Sequence, residues 1–375
     1  MSPRREIVST YPRFERPHLA IQAAVSAALA REGIRVPPLQ FDIALVRHDT
    51  PQDAYPILHR IDAAEIIIPE LNGLTKEQLQ LLRRVPEGSM TAEQFIKQGS
   101  LIDPDIKNNF LHKTLLKTNI YTLFFMKNDF MYPIFKRLYQ SKKFIGHIDT
   151  KKADLRKILI SEKQRLVRSL ARNFTYSQAI KAIIDSETET AMYMRERDDV
   201  MINNLVPTLV EAIRARPDLQ YPRTAPITVF MYLGWLHFPI AQALQNSDVK
   251  VSHSIAESER PTEQTRLTAY AYAGKGIPER MAARSMLETI FDILVANTHN
   301  ADHTLFLGSA KQVGALKAIG ALVDVFEDKA GELYEYIKLV LREKGAMRRH
   351  KMIVALLDAC IKERRAQLEA RLKRA

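Results

Sequence analysis

The stretch Phe41–Glu70, FDIALVRHDTPQDAYPILHRIDAAEIIIPE, decides the fold. Its first six residues, FDIALV, form a nearly continuous apolar run behind Pro37-Pro38, the pattern of a strand buried on both faces. Pro51–Ile61 reads as a helix, and Ala64–Ile68 (AEIII) as a second β-branched strand that ends at Pro69-Glu70. Strand, helix and strand in about 30 residues make a βαβ unit, so the two strands run parallel.

Outward from that unit the texture is helical. Leu19–Glu32 places Ile21, Ala24, Val25, Ala28 and Leu29 on one face, with Gly33 where a helix would stop. Beyond Asn72-Gly73, Thr75–Gln78 and Thr91–Gln94 both match the reciprocal cap in which a Thr and a Gln satisfy each other's backbone N–H. An aromatic segment, Tyr121–Tyr139, precedes a long helix over Tyr176–Ala215, with Pro207 as a candidate interruption. No strand is read between the second strand and Ile227. Ile227–Leu233 (ITVFMYL) is a third strand candidate and Val249–His253 (VKVSH) a fourth; from Glu263 onward the chain reads as helix. A basic amphipathic helix from about Met347 carries Ile353, Leu356, Leu357 and Cys360 on its apolar side. The expected class is therefore helix-rich α/β: a small, mainly parallel or mixed sheet flanked by helices, with a large helical insertion and a helical C-terminal extension. In residues, 1–72 and 191–256 form the α/β core, 73–190 the insertion and 257–375 the extension.

Composition narrows the chemistry. A chain of 375 residues, 46% apolar and 26% charged, is long enough for one large core or two moderate ones. A single cysteine, Cys360, rules out an internal disulfide and thiolate-rich metal sites. With no signal-peptide pattern at the N-terminus, a reducing, cytoplasmic setting is expected. The apolar window Ala225–Leu244 is broken by Pro226, Gly234, His237 and Pro239, so it reads as strand, turn and helix start rather than a membrane span. The formal net charge of +12 is concentrated in two places: residues 136–172 hold 12 Lys/Arg against 3 Asp/Glu, and residues 342–375 hold 11 against 4. Either basic stretch suits an acidic protein, nucleic acid or an anionic membrane surface.

In a parallel sheet, loops leaving the carboxyl ends of the strands converge on one crevice. Three strands release a polar residue there: Val46 leads to Arg47-His48, Ile68 to Pro69-Glu70, and Leu233 to Gly234-Trp235-Leu236-His237. Imidazole and carboxylate are ligands for ions such as zinc or manganese and equally the usual general bases toward water, so His48, Glu70 and His237 fit either chemistry. Other signals are weak or missing. His299 and His303 have helical metal-pair spacing, but THNADHT lacks the accompanying Glu and is rich in loop formers. The aromatic run beside Lys136, Arg137, Lys142 and Lys143 fits base stacking, a membrane surface or, equally, a buried helix with solvated lysines at its end. No glycine-rich phosphate loop, Gly-x-Ser-x-Gly elbow or zinc-finger spacing occurs.

The succession of strand-x-His48, helix, strand ending in Glu70, the helical segment Glu196-Arg197-Asp198-Asp199-Val200-Met201-Ile202-Asn203-Asn204-Leu205, and strand-Gly234-x-x-His237 resembles the superfamily of TraB/PrgY, Tiki, ChaN and erythromycin-esterase-like proteins. The similarity spans roughly Phe41–His253, without counterpart between Gly73 and Thr190. It implies a mixed α/β fold with a polar cleft, and the activity of a metal-dependent peptidase, an esterase using histidine-activated water, or a haem-binding protein, haem being the weaker expectation here. On this resemblance His48, Glu70 and His237 are the catalytic or metal-binding residues, Gly234 the turn of the second motif, and Arg197 a substrate-binding residue or the group that holds Glu70; Arg47 is a second candidate for the substrate. Arg197 could instead make a helix-face ion pair with its acidic neighbours. One departure stands out: where the first motif normally has glycine, three residues before its histidine, this chain has Leu45. Two functions follow as expectations, a hydrolase of peptide or ester substrates, or a non-catalytic protein of the same fold that binds an acidic partner through its basic helices. The assembly state is left open, the helical insertion being a candidate lid, dimer interface or docking arm.

Overall fold

The computed structural model describes residues 18–46, 54–71, 74–97, 130–149, 174–255, 262–298, 315–343 and 345–374. Arg47, His48, His299, His303, the aromatic residues before Phe130 and the basic stretch from residue 150 to 172 lie outside these.

The chain divides into two compact units, one of Arg13–Arg156 with Met194–Ser258, the other of Lys157–Tyr193 and Glu259–Ala375 with the first twelve residues. The first is helix-rich α/β. Its strands are β1 (Leu39–Val46), β2 (Ile66–Pro69), β3 (Phe144–Ile145), β4 (Ile227–Gly234) and β5 (Lys250–Ile255). All pair in parallel, in the order β3-β2-β4-β1-β5. The sheet is therefore wholly parallel, and β4, the next to last strand among the described residues, lies between β2 and β1. Leu39 faces Ile227 in register and Val46 faces Gly234, while Ile66 faces Val229 and Pro69 faces Tyr232. Burial follows from this position: the last four residues of β1, all of β2 and Val229–Leu233 of β4 are buried, as strands covered on both faces require.

Among the described residues, helices α1 (Ile21–Ala30), α2 (Leu58–Ala63), α3 (Lys76–Glu87), α4 (Ala92–Lys97) and α5 (Met131–Leu138) precede β3 in this unit. Ile61, Leu82, Val85, Phe95, Phe130 and Phe135 form one core with Ile67, Phe230 and Tyr232 of the sheet. Phe130 and Phe135 are thus core residues, and the Tyr132 hydroxyl donates to Glu93, which answers the question of the described part of the aromatic run in favour of a buried helix. Both Thr–Gln caps form, with Thr75 accepting from the Gln78 N–H at 3.2 Å and Thr91 from the Gln94 N–H at 3.1 Å. Strand β3 was not expected. Two residues, Phe144 and Ile145, are too short to show a period, and only their pairing with Ile66 and Ile67 makes them a strand.

Helix α6 (Tyr176–Ala215) runs unbroken through Pro207, the candidate interruption. A proline inside a helix costs about 3 kcal/mol, and anchors on both sides oppose the break. Leu205 and Leu209 are buried, the Asn204 amide donates to the Ile148 carbonyl at 3.0 Å, and the Thr208 hydroxyl donates to the His147 carbonyl at 3.1 Å. Helix α7 (Phe238–Gln245) links β4 to β5.

The second unit is helical: α8 (Glu263–Tyr272), α9 (Glu279–Thr298), α10 (Ala315–Phe326), α11 (Ala330–Arg342) and α12 (Ala346–Arg374). α9 touches each of the other four, and its Met286, Leu287, Ile290, Phe291 and Leu294 are wholly buried. Ile353, Leu356, Leu357 and Cys360 of α12 join the same core, as their spacing requires. Among the described residues, no helix is long and apolar enough to cross a membrane.

One close approach fixes how the segment after β3 meets α6. A Cβ on Gly146 would come within 2.5 Å of Thr208 Cγ2 and 3.2 Å of Ile68 Cγ1. Gly146→Ala is expected to lower stability by about 1–3 kcal/mol through overpacking. Adding Thr208→Ser, which removes that methyl and keeps the hydroxyl, should recover part of the loss; chemical denaturation of both variants checks this, and an additive double variant would sink the explanation.

Candidate functional site

Glu70 follows β2, and its backbone N–H still donates to the Tyr232 carbonyl at 3.0 Å, so the sheet itself sets where its side chain begins. Gly234 closes β4, and its N–H donates to Glu70 Oε2. Three residues on, a short 3-10 turn over Trp235–His237 delivers the His237 ring to the same carboxylate, Nε2 lying 2.9 Å from Glu70 Oε1. The strand order explains the meeting: β2 and β4 are neighbours in the sheet, so residues 167 apart in sequence leave its carboxyl edge side by side.

Helix α6 supplies the rest. Arg197, Met201, Asn204 and Thr208 fall at intervals of four, three and four, which puts them on one stripe of a helix. Arg197 Nη2 donates to Glu70 Oε1 at 2.9 Å, and its Nε donates to Asp149 Oδ1 at 2.8 Å. Nη2 also donates to Asp149 Oδ2, making this a forked guanidinium–carboxylate pair. Asp149 ends the segment after β3, and the segment is pinned there by the two α6 bonds to Ile148 and His147 and by His147 Nε2 against the Leu71 carbonyl at 2.9 Å. Met201 is buried under the stripe. Beside Arg197, Asp198 places Oδ1 2.5 Å from His237 Nδ1.

The result is a chain of alternating acid and base: Asp198, His237, Glu70, Arg197, Asp149. Arg197 is 4% exposed, His237 1% and Asp198 0%. Burial opposes charge on His237, but the nearby Glu70 and Asp198 carboxylates win and raise its pKa to about 9. Geometry agrees, because an imidazole with a carboxylate at each ring nitrogen must donate from both. His237 is accordingly an imidazolium at neutral pH. Burial likewise works against the Arg197 guanidinium, and the Asp149 hydrogen bond with the Glu70 charge more than restores it.

The structure thus brings Glu70, Arg197, Gly234 and His237 together. The alternative of an Arg197 ion pair along its own helix is corrected: the guanidinium turns inward to Glu70 and Asp149. His48 and Arg47 lie outside the described residues, and the last described residue before them, Val46, is the register partner of Gly234. Sequence reasoning missed Asp149 and Asp198. Asp198 had a signal, since it sits in the Arg-Asp pair of the helical segment; Asp149 follows a strand too short to read. Leu45 is 4% exposed and faces Leu233 in register.

For a metal ion the described residues do not fit. Among them, no group of three His, Cys, Asp or Glu side chains could hold one, and the Glu70 oxygens already accept from Arg197, His237 and the Gly234 N–H. An ion there would displace these donors and stand against the Arg197 cation. Cys360, in the helical unit, offers no nucleophile: burial pushes its thiol up to about 11.

A group whose pKa rises on folding stabilises the fold fully below its unfolded value and stops doing so above its folded one. His237 should therefore contribute up to about 3 kcal/mol below pH about 6.5, lost as the pH passes about 9. Urea unfolding followed through Trp235, the only tryptophan of the chain, is expected to show this decline for the native protein and not for His237→Gln. The same slope in both would refute it. Separately, Arg197→Met should destabilise by about 3–5 kcal/mol, since it strands the buried Asp149 carboxylate and takes one donor from Glu70, and Arg197→Lys should restore only part, lacking the fork.

No family model, curated protein or solved structure matches this chain.

Proposed function

We propose that the α/β unit is a hydrolase of esters or peptides, in which a water molecule attacks the substrate carbonyl at the carboxyl edge of β1, β2 and β4. One observation supports this above the others: Glu70, Arg197 and His237, from two strands and a distant helix, meet in one buried network at the edge where parallel sheets bind ligands. His237, held cationic between Asp198 and Glu70, is not the base. Its role is orientation and positive charge, shared with Arg197, so that Glu70 stays fixed. The base is assigned to His48, two residues beyond the strand end that pairs with Gly234. His48 takes a proton from water as the oxygen attacks the carbonyl carbon, and returns it to the departing alcohol or amine. No step is routed through a metal.

A second reading, a non-catalytic binding protein of the same fold, has its own support: Leu45 occupies the glycine position, and the network is nearly sealed from solvent. Initial rates on p-nitrophenyl esters and on quenched fluorescent peptides separate the two. Turnover that falls by about 10²–10⁴ in His48→Ala, with an unchanged melting temperature, is the expected outcome. Rates no higher than buffer for the native protein across both substrate classes would end the hydrolase reading in favour of binding.

A further inference from the structure

Sequence and burial coincide at the turn between α11 and α12. From Arg342 to Lys351 the sequence has five Lys/Arg and one acid, Glu343. Arg342 and Lys351 are exposed, and the Arg348 side chain is 78% exposed even though it lies 3.4 Å from Glu343. Within the same turn and its flanks, Leu339 is 60% exposed, Met347 72% and Tyr336 37%. A lone exposed leucine needs no explanation. Here three of the eight large apolar or aromatic side chains exposed among the described residues fall within twelve positions of one another. Tyr336, Leu339 and Arg342 share one face of α11 at three-residue spacing, and Met347 and Lys351 share one of α12 at four. Glu343 is the one acid in the turn, Glu335 is tied to Lys338 at 3.0 Å, and Asp358, Glu363 and Glu369 lie farther along α12.

We propose that this α11–α12 turn docks on an anionic lipid membrane, Leu339 and Met347 entering the headgroup boundary while Arg342, Arg348, Arg349 and Lys351 meet lipid phosphates. The chemistry favours lipid over nucleic acid or an acidic protein. The two most exposed apolar groups are a Leu and a Met, which gain by entering acyl chains and offer no flat ring for a base, while Tyr336 is only 37% exposed, and cations flank them in sequence as in peripheral membrane helices. Leu339, Met347, Arg342, Arg348 and Lys351 are already exposed and Arg349 half-buried, so docking requires no unfolding.

The test is co-sedimentation of the full chain with vesicles of phosphatidylcholine alone or with about 30% phosphatidylserine. Expected are binding at least tenfold stronger to the serine-containing vesicles, a steep fall in about 0.5 M salt, and a loss on the order of several hundredfold in Arg348→Glu/Lys351→Glu, four units of charge at about fivefold each. Leu339→Ser/Met347→Ser should weaken binding several-fold with the melting temperature unchanged, because both side chains are exposed. Equal partitioning to the two vesicles, no binding to either, or full binding by the charge-reversed variant would overturn the proposal. So would tight binding to a DNA duplex that is indifferent to Leu339→Ser/Met347→Ser and is accompanied by none to vesicles.

Discussion

The Glu70 carboxylate is the point on which the α/β unit turns. It accepts from a guanidinium on α6, an imidazolium beyond β4 and the backbone N–H that closes β4. Each donor comes from a different element, so the carboxylate fixes the distance between β2, β4 and α6 at the edge of the sheet. Remove it and two buried cations lose an anion, a loss larger than the net worth of any single bond in the set. The polar network and the apolar sheet depend on each other: continuous burial of β2 and β4 supplies the low dielectric that strengthens these pairs, and the pairs remove the penalty that such burial would place on the charges.

Topology decides which residues meet. Because β4 enters between β1 and β2, the three strand ends fall on adjacent positions of one edge although they come from distant parts of the chain. Helix α6 repeats the logic with a different period. Its stripe of Arg197, Met201, Asn204 and Thr208 carries one charge to Glu70, one apolar group into the core and two polar groups to the carbonyls of the Gly146–Asp149 segment. The absence of a side chain on Gly146 lets that segment lie against Thr208 and Ile68. Asp149 therefore reaches Arg197 only because of contacts made several residues away.

Much of this was legible in the amino-acid sequence, and the parts that were not share a cause. FDIALV, AEIII and ITVFMYL announce buried strands because interior strands of a parallel sheet need apolar side chains on both faces, and the residues following them are then placed by topology alone. Glu70, Gly234 and His237 could be expected together on that ground. The two caps were readable because their bonds are local. Phe144-Ile145 was not, since a two-residue strand has no period, and with it went Asp149. The passage of α6 through Pro207 was equally hidden: local propensity argues for a break, and the anchors that prevent it come from residues some sixty positions earlier. Asp198 was in view but unassigned, because on an isolated helix it is simply the neighbour of Arg197.

Stability alone does not account for the network. Five ionisable groups are gathered where apolar side chains of similar volume would pack, and replacing buried ion pairs by such side chains is often neutral or stabilising. Asp198 adds the sharper point. A histidine needed only to hold Glu70 would suffice with one ring nitrogen engaged; the carboxylate on Nδ1 fixes the ring orientation and keeps the ring protonated well above neutral pH. A histidine that is cationic at neutral pH is poorly suited to accepting a proton there and well suited to holding a carboxylate in one place. On the hydrolase proposal, proton transfer then falls to a residue outside the network, and the sequence offers His48, two residues beyond the register partner of Gly234. The division between a rigid charged frame from β2, β4 and α6 and a separate base from β1 is what the hydrolase proposal requires.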